Sequence, residues 1–594
     1  MSQQNGTAPA RTPVGLPLGF RIQEGAPGGV DSLEFVKYRG GIPEWIRICD
    51  PLRVVALTRS ESGNEWGRLL RFRDMDRTEH DYPLPMSMLA GDGTAYRERL
   101  LDLGLRIEQS AEARAALTRY ISACSPAARA IAVSRLGWHN GRFVLPDQVF
   151  GDSPSGELMI FQSPQPIEHA FKIAGTLDQW RENVGALCIR NSRLTFAVSM
   201  AFAPPLLDLL SEESGGANLV GHSSTGKTTA LNAAGSVWGG GRFGFKRAWR
   251  ATVNGLEGVA AIHNDGFLGL DEIAQADSRA VAEAAYLFAN GQGKARARRD
   301  GSGRVPLSWR LLFLSTGEVP LATKITEAGF GRAMAGQAVR VLDIPADAGS
   351  RFGLFEDIHG AKDGDVFARQ INEAAATYYG TPIRTYLREL TDDPGGCADW
   401  VETICNQFMS ELKIAGCDGQ VQRAAGRFAL IAAAGELATQ MGITGWEEGA
   451  ASEAVGKCFR AWLSMRGGTG PLEIESGIRQ VRKFLEAHGD SRFSSWDEDG
   501  QKTINRAGFK RRASDGGWEY FILPQVFRTE VCNGFDVPSL TRELVRRDII
   551  VASPDGKPSR SERIPALGNK TTRVYRITSA IFEADDENQN SSPI

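Results

Sequence analysis

Ala217-Asn-Leu-Val220 followed by Gly221-His-Ser-Ser-Thr-Gly226-Lys227-Thr228 is the stretch on which the fold of this chain turns. The apolar run reads as a buried strand, the next eight residues fit the G-x-x-x-x-G-K-[ST] spacing, and Thr229-Ala-Leu-Asn-Ala-Ala continues as a helix. Such a loop works because consecutive backbone N–H groups curl around phosphate oxygens. Glycine permits the curl, and the helix N-terminus adds the positive end of its dipole. The expectation is a nucleotide site in which Gly221, His222, Ser223, Ser224, Thr225, Gly226, Lys227, Thr228 and Thr229 hold ATP. Lys227 reaches the β- and γ-phosphates, and the Thr228 hydroxyl ligates Mg²⁺. An ordinary glycine-rich turn is the competing reading, disfavoured by the strand before and the helix after.

Further along, such a site needs an apolar strand ending in an acid that holds the metal through water, then a glutamate to polarise the attacking water. Gly266-Phe-Leu-Gly-Leu270-Asp271-Glu272 meets both demands, with Asp271 on the metal side and Glu272 as general base. An Asp that merely caps the next helix is the alternative. A third strand, Trp309-Arg-Leu-Leu-Phe-Leu314, ends in Ser315-Thr316-Gly-Glu318. In AAA+-type ATPases the strand beside the acidic one carries a γ-phosphate sensor, a role open here to Ser315 or Thr316, although asparagine is commoner. Arg340, just before the apolar run Val341 to Pro345, resembles the arginine finger that reaches a neighbouring subunit's γ-phosphate, with Arg332 a weaker candidate. A surface ion pair is the other reading of Arg340. Arg423 and Arg427 lie one helical turn apart, and either is a candidate second sensor.

Two segments are basic in a chain whose net charge is -3. Between the acidic pair and the third strand, Lys294, Arg296, Arg298, Arg299 and Arg304 put five cations into eleven residues, flanked by glycines. The segment is too basic to bury, which leaves a solvated turn or a contact with a phosphate backbone in a ring's channel. Ring helicases of the MCM and superfamily-3 kinds carry a DNA-gripping hairpin at this place, which favours the second. From Gln501 to Ala580 there are 15 Lys and Arg against 8 Asp and Glu. An amphipathic helix at Ser539 to Arg547, a strand at Asp548 to Ala552, a basic turn from Ser553 to Thr572 and a strand from Arg573 outline a winged helix. Lys557, Arg560, Arg563, Lys570 and Arg573 would then meet phosphate. A protein-binding winged helix or a solvated basic surface is the alternative.

The chain's 594 residues suggest roughly two to four domains. With 42% hydrophobic and 23% charged residues the composition is that of a globular protein. Met1 to Pro17 lacks the layout of a signal peptide, and the longest apolar stretch is broken by Pro204-Pro205, so a cytoplasmic protein without a membrane span is expected. The eight cysteines are scattered singly and read as reduced, mostly buried thiols, with a zinc site assembled from distant residues the alternative. The fold class expected is α/β. Residues 1–28 are disordered, 29–150 form a small mixed α+β domain, and 151–345 form a P-loop, AAA+-like core. Residues 346–468 form a helical lid with a linker from Met465 to Gly470, 471–580 a winged-helix-like domain, and 581–594 a disordered tail.

Several segments together resemble the bacterial and phage family catalogued as domain of unknown function nine-twenty-seven. They are Gly137-Trp-His through Asp147, Gly221 to Thr229, Thr252-Val-Asn254-Gly-Leu-Glu257-Gly, Leu270-Asp-Glu272-Ile, Asn290-Gly-Gln-Gly-Lys294, Ser315-Thr-Gly-Glu318, Arg340 to Pro345, Phe428 to Ala438 and Gly442 to Trp446. The resemblance spans roughly Leu136 to Gly468 and implies a hexameric, ATP-driven DNA helicase of a phage or mobile element. It implies single-stranded or forked DNA as partner, self-association into a ring, and a separate primase or polymerase. It gives Asn254 and Glu257 no mechanistic role. A nucleotide-driven switch or remodeller, or a DNA-loading protein that binds ATP with little turnover, remain the other readings.

Overall fold

The computed structural model describes residues 16–23, 31–153, 156–162, 170–240, 244–250, 252–273, 276–294, 296–297, 303–304, 306–328, 340–414, 417–466, 472–497, 503–513 and 516–583. The fold is mixed α/β and divides into two compact units, one of residues 1–413 with 424–462, the other of 414–423 with 463–594. Among the described residues no helix is long and apolar enough to cross a membrane.

The first unit opens with three antiparallel strands, β1 (Phe20–Gln23), β2 (Ser32–Arg39) and β3 (Ile42–Cys49). The expectation of disorder through residue 28 therefore fails at Phe20 to Gln23, which pair with Phe35 to Ser32 and set Phe20 and Ile22 against the core. A second sheet has the order β11-β7-β4-β5-β6, with β4 Leu52–Arg59, β5 Gly67–Arg73, β6 Glu79–Pro85, β7 Arg129–Val133 and β11 Leu158–Phe161. The helices α1 (Thr94–Asp102) and α2 (Ala111–Ala123) bury Tyr96, Leu100, Leu117 and Tyr120 in the same core cluster as β2 to β5. Between β7 and β11 lies the hairpin β8 (Gly137–His139) and β9 (Arg142–Val144), with β10 (Val149–Phe150) alongside. Its turn holds Asn140 at φ 50° and Gly141 at φ 76°, the left-handed pair that a two-residue hairpin of natural twist requires.

The central sheet is wholly parallel, with the order β13-β14-β17-β12-β18: β12 Gly215–Val220, β13 Lys246–Ala248, β14 Gly266–Asp271, β17 Leu311–Gly317 and β18 Val341–Pro345. Both faces are covered, which is why its strands read as near-continuous apolar runs. On one face α4 (Lys227–Trp238) lies on β14 and β17, backed by α3 (Ser192–Phe202), every residue of which is buried. On the other, α5 (Val253–Ile262) and α6 (Ser278–Asn290) pack Leu256, Val281 and Phe288 against Leu268, Leu270 and Phe313. A two-stranded ladder, β15 (Arg296–Ala297) with β16 (Gly303–Arg304), precedes β17. Beyond α7 (Leu321–Glu327) and β18 the chain is helical: α8 Gly364–Thr377, α9 Thr381–Asp392, α10 Pro394–Glu411, α11 Gly419–Gln440 and α12 Ala450–Arg466. Met465 and Arg466, expected in a linker, complete α12; the rest of that linker lies outside the described residues.

The Gly137-Trp-His segment is tied to this sheet by Asp265. Its fully buried carboxylate accepts the Trp138 N–H at 3.0 Å and the Arg310 Nε–H at 2.8 Å.

The second unit is a five-stranded sheet of order β19-β20-β21-β23-β22: β19 Phe493–Ser495, β20 Gly508–Arg512, β21 Trp518–Ile522, β22 Arg560–Ile564 and β23 Lys570–Ile577. The helices α13 (Leu472–His488) and α14 (Val537–Arg546) share its larger core. Two elements differ from the winged-helix outline. Asp548 to Ala552 makes no strand, only an isolated bridge from Ile550 to Ile577, and the supposed basic turn contains β22, paired along its length with β23. The alternation Arg560, Glu562, Ile564 hides a strand because two of its three inward residues are charged and ion-paired at 2.6 Å. The expectation of a tail from residue 581 fails at residues 581–583, since Ala580–Glu583 form a short helix, α15, with Ile581 buried; residues 584–594 lie outside the described residues.

Five of the eight cysteines are buried and three half-buried, all as free thiols. The imidazole of His263 is also enclosed, between the rings of Phe171 and Phe245, with Nδ1 against the Val259 carbonyl at 2.8 Å. Burial pushes it down to about 4 from 6.5. Between those two values the unfolded chain binds a proton that the folded chain refuses, so stability falls as pH drops through this window and is unaffected above it. The loss should approach about 3 kcal/mol. His263→Asn should remove it, measured as a flatter dependence of denaturation midpoint on pH from about 7 to about 4; an unchanged slope would count against the assignment.

Candidate functional site

In a parallel sheet every strand ends at the same edge, and the loop after β12 emerges there beside the ends of β14 and β17. Ser224 and Gly226 take the left-handed conformation, at φ 62° and 95°. A Cβ on Gly226 would also meet the Phe355 ring at 2.9 Å. The segment carrying Phe355 braces the loop, with the Leu354 N–H donating to the Thr225 carbonyl at 3.0 Å.

Lys227 folds back over the loop, its ammonium donating to the carbonyls of Gly221 at 2.8 Å and His222 at 2.6 Å. Burial lowers its pKa, opposed by the charges of Glu318 and Asp271. Asp271, at the tip of β14, is where the elements converge. Its Oδ1 accepts the Thr316 hydroxyl at 2.6 Å and the Thr228 hydroxyl at 3.2 Å, and its Oδ2 faces the Lys246 ammonium at 2.9 Å. Burial pushes this carboxyl up, but the Thr316 and Lys246 contacts outweigh it and hold it below its ordinary value. Glu272 is exposed and left-handed at φ 60°, a costly conformation for a glutamate, and its N–H donates to the Thr316 hydroxyl at 3.2 Å. Together with Ser223 to Thr229, Gly317, Glu318, Asp365 and Ala368 these groups line a cleft of about 380 Å³. A hydroxyl and a carboxylate 3.2 Å apart are the hard oxygen donors that Mg²⁺ takes, beside loop N–H groups suited to phosphate.

The two sensor candidates separate. Ser315 is buried and accepts the Trp249 indole N–H at 2.8 Å, whereas Thr316 faces the cleft. Arg340 is at the opposite edge, where β18 begins, paired with Glu213 at 2.8 Å and donating to Asn290 Oδ1 at 2.8 Å. Arg332 lies outside the described residues. Arg427 does not line the cleft either: it is half-buried at that far edge and donates to the carbonyls of Arg340 at 2.6 Å and Ser214 at 3.3 Å. It clamps the starts of β12 and β18, a role that helical spacing cannot distinguish from a sensor. Arg423, on the same helix, is exposed and not among the cleft residues.

Of the basic segment, Lys294 pairs with Glu283 at 2.9 Å, and Arg296 and Arg304 are opposite each other in the ladder. Arg298 and Arg299 lie outside the described residues. In the second unit Arg563 and Arg573 share one face of the β22–β23 hairpin, Arg560 and Lys570 share the other, and Lys557 is paired with Asp555 at 2.7 Å. The five cations therefore do not form one surface. Sequence reasoning missed Lys246 and Asp365. Lys246 sits on a three-residue strand after a run of glycines, too short for any periodic signal.

Residues 20–307 match the family model described as "Domain of unknown function (DUF927)". No curated protein matches the chain. Among solved structures it resembles one titled "SCCmec type IV Cch - active helicase", with a TM-score of 0.67 at 18% identity, covering 95% of this chain and 98% of that one. At that identity the likeness is one of fold. A second, titled "The A form apo structure of NrS-1 C terminal region-CTR(305-718)", reaches a TM-score of only 0.22 at 8% identity over 63% of this chain and 88% of that one.

Thr316→Val tests how the cleft is held. It strips Asp271 of its shortest hydrogen bond and leaves the Glu272 N–H without its acceptor, so urea denaturation near neutral pH should show a loss of about 1–3 kcal/mol. The deficit should shrink as pH falls through the depressed value of Asp271, where the carboxylate is lost in both proteins.

Proposed function

We propose that this chain is an ATP-hydrolysing DNA motor, a ring-forming helicase or translocase of a phage or mobile element. The observation that carries the ATPase reading is the convergence of Lys227, Thr228, Asp271 and Thr316 at one end of a parallel sheet, with Glu272 in a strained conformation beside them. Lys227 binds the β- and γ-phosphates of ATP, and Thr228 and Asp271 hold Mg²⁺, which neutralises phosphate charge when bound. Glu272 takes a proton from water as its oxygen attacks the γ-phosphorus, the bond to the bridging oxygen breaks, and ADP leaves with that electron pair. Thr316 orients Asp271 and reports on the γ-phosphate.

Arg340 lies just before a strand whose other end is level with the loop, roughly 16 Å away, and is read as serving a neighbouring subunit's site. That supports hydrolysis at the interfaces of a ring. Lys294, Arg296, Arg298, Arg299 and Arg304 are read as contacts to the DNA backbone, and the hairpin face of Arg563 and Arg573 as a second one, in a winged-helix-like second unit. Residues 346–468 are read as a lid over the ATPase core, and 29–150 as a separate N-terminal domain. The fold likeness to a structure titled as an active helicase supports the motor over a switch.

Lys227→Ala should lose ATP binding, whereas Glu272→Gln should bind ATP and hydrolyse it about 10²–10⁴-fold more slowly. Neutralising Lys294, Arg296 and Arg298 should abolish strand separation on a forked duplex while ATP affinity is kept. Native protein that hydrolyses ATP without regard to DNA, leaves forks intact and forms no hexamer in sizing experiments would be a switch or a loader instead.

A further inference from the structure

The carboxylate of Glu257 is 2% exposed, on a helix that contributes nothing to the cleft. Burying a carboxylate is costly unless it is well bonded. Its Oε1 accepts the main-chain N–H of Lys294 at 2.8 Å, and a Cβ on Gly293 would stand 1.9 Å from that oxygen. The absence of a side chain at Gly293 is what lets the acid reach the backbone. The bond falls at the root of the basic ladder. There Gly293 N–H donates to the Leu307 carbonyl at 2.8 Å, Trp309 N–H donates to the Gly291 carbonyl at 2.9 Å, and Gln292 bridges Ser308. Lys294 opens the run that continues into the Arg296–Arg304 pair.

The start of α5, about one turn before Glu257, leads back to the cleft. Thr252 caps the helix by accepting the Gly255 N–H at 3.2 Å. The segment just before it is tied down twice, by Lys246 to Asp271 at 2.9 Å and by Trp249 to Ser315, the neighbour of Thr316, at 2.8 Å. The Lys246–Trp249 segment is thus fastened to the acid and the sensor strand, and α5, which follows it in the chain, is fastened through Glu257 to the ladder root.

We propose that Glu257 is a positioning residue that couples the nucleotide cleft to the basic ladder. A change in the hold on Asp271 shifts the Lys246–Trp249 segment and α5, and Glu257 carries that shift to the backbone of Lys294. This rests on the reading of the protein as a DNA-stimulated ATPase.

The test uses the full chain and measures ATP hydrolysis with and without single-stranded DNA, together with affinity for a fluorescent ATP analogue. Glu257→Met removes the acceptor, Gly293→Ala displaces it from the other side, and Glu257→Gln keeps an acceptor oxygen. Met and Ala variants should retain basal hydrolysis and analogue affinity within about twofold yet lose the stimulation by DNA, with the double variant no worse than either single one, as expected for two sides of one contact. Glu257→Gln should stay near native. Hydrogen exchange at amides 291–294 and 307–309 should respond to the analogue in native protein and in Glu257→Gln but not in Glu257→Met. Stimulation surviving in both disruptive variants overturns the coupling, as does basal hydrolysis falling in step with it, which makes Glu257 plain scaffold. A native protein with no DNA stimulation sinks the underlying reading, and the coupling with it.

Discussion

The arrangement of the first unit depends on one carboxylate. Asp271 ends β14, and its donors come from three other elements: Thr228 from α4, Thr316 from β17 and Lys246 from β13. Parallel pairing makes this meeting possible, because it brings the carboxyl ends of non-adjacent stretches to one edge with their side chains in register. β17 lies between β12 and β14, so the residue at its tip stands beside the acid. A threonine there holds the end of β14 with a single hydroxyl, donating to Asp271 while accepting from Glu272.

The same sheet has a second edge with a different job. Arg340, Arg427 and the ladder root gather at the strand starts, where Arg427 donates to two carbonyls and Arg340 pairs outward. Chemistry at one edge and surface cations at the other are separated by the length of a strand. One route between them is α5, whose leading segment is bonded to β17 beside the cleft and whose Glu257 is bonded to the ladder root.

What the sequence revealed was local. The glycine loop, the acidic pair and the parallel sheet were legible because each is a contiguous pattern whose physics acts over a few residues. Ser315 and Thr316 could not be told apart, since alternate strand residues point to opposite faces and nothing in the sequence marks which face holds the cleft. Arg427 failed for a related reason: helical spacing gives the face of a residue but not the edge of the sheet it will meet. Lys246 and Glu257 were opaque because their roles depend on partners 25 and 37 residues away. β1 was mistaken for disorder because a four-residue strand between Gly- and Pro-rich stretches looks like linker until its pairing partner is known.

Several acids of the first unit are held by main-chain donors, and Asp271 differs from them. Asp265 accepts a main-chain N–H from Trp138, Asp343 from Leu321, Glu436 from Gly449 and Ser452, and Glu257 from Lys294. Each ties a distant stretch to the core, and burial raises the carboxyls of Asp265 and Asp343, in Asp265 against the pull of Arg310. A backbone donor cannot swing away without moving the chain, so such an acid is fixed in its bond. Asp271 accepts only from side chains in the bonds found, two hydroxyls and an ammonium, all on rotatable torsions. Its carboxylate is held in its charged form and can exchange these donors for a cation without any change in the main chain. Asp271 is thus suited to binding and release, and it stands at the mouth of the cleft.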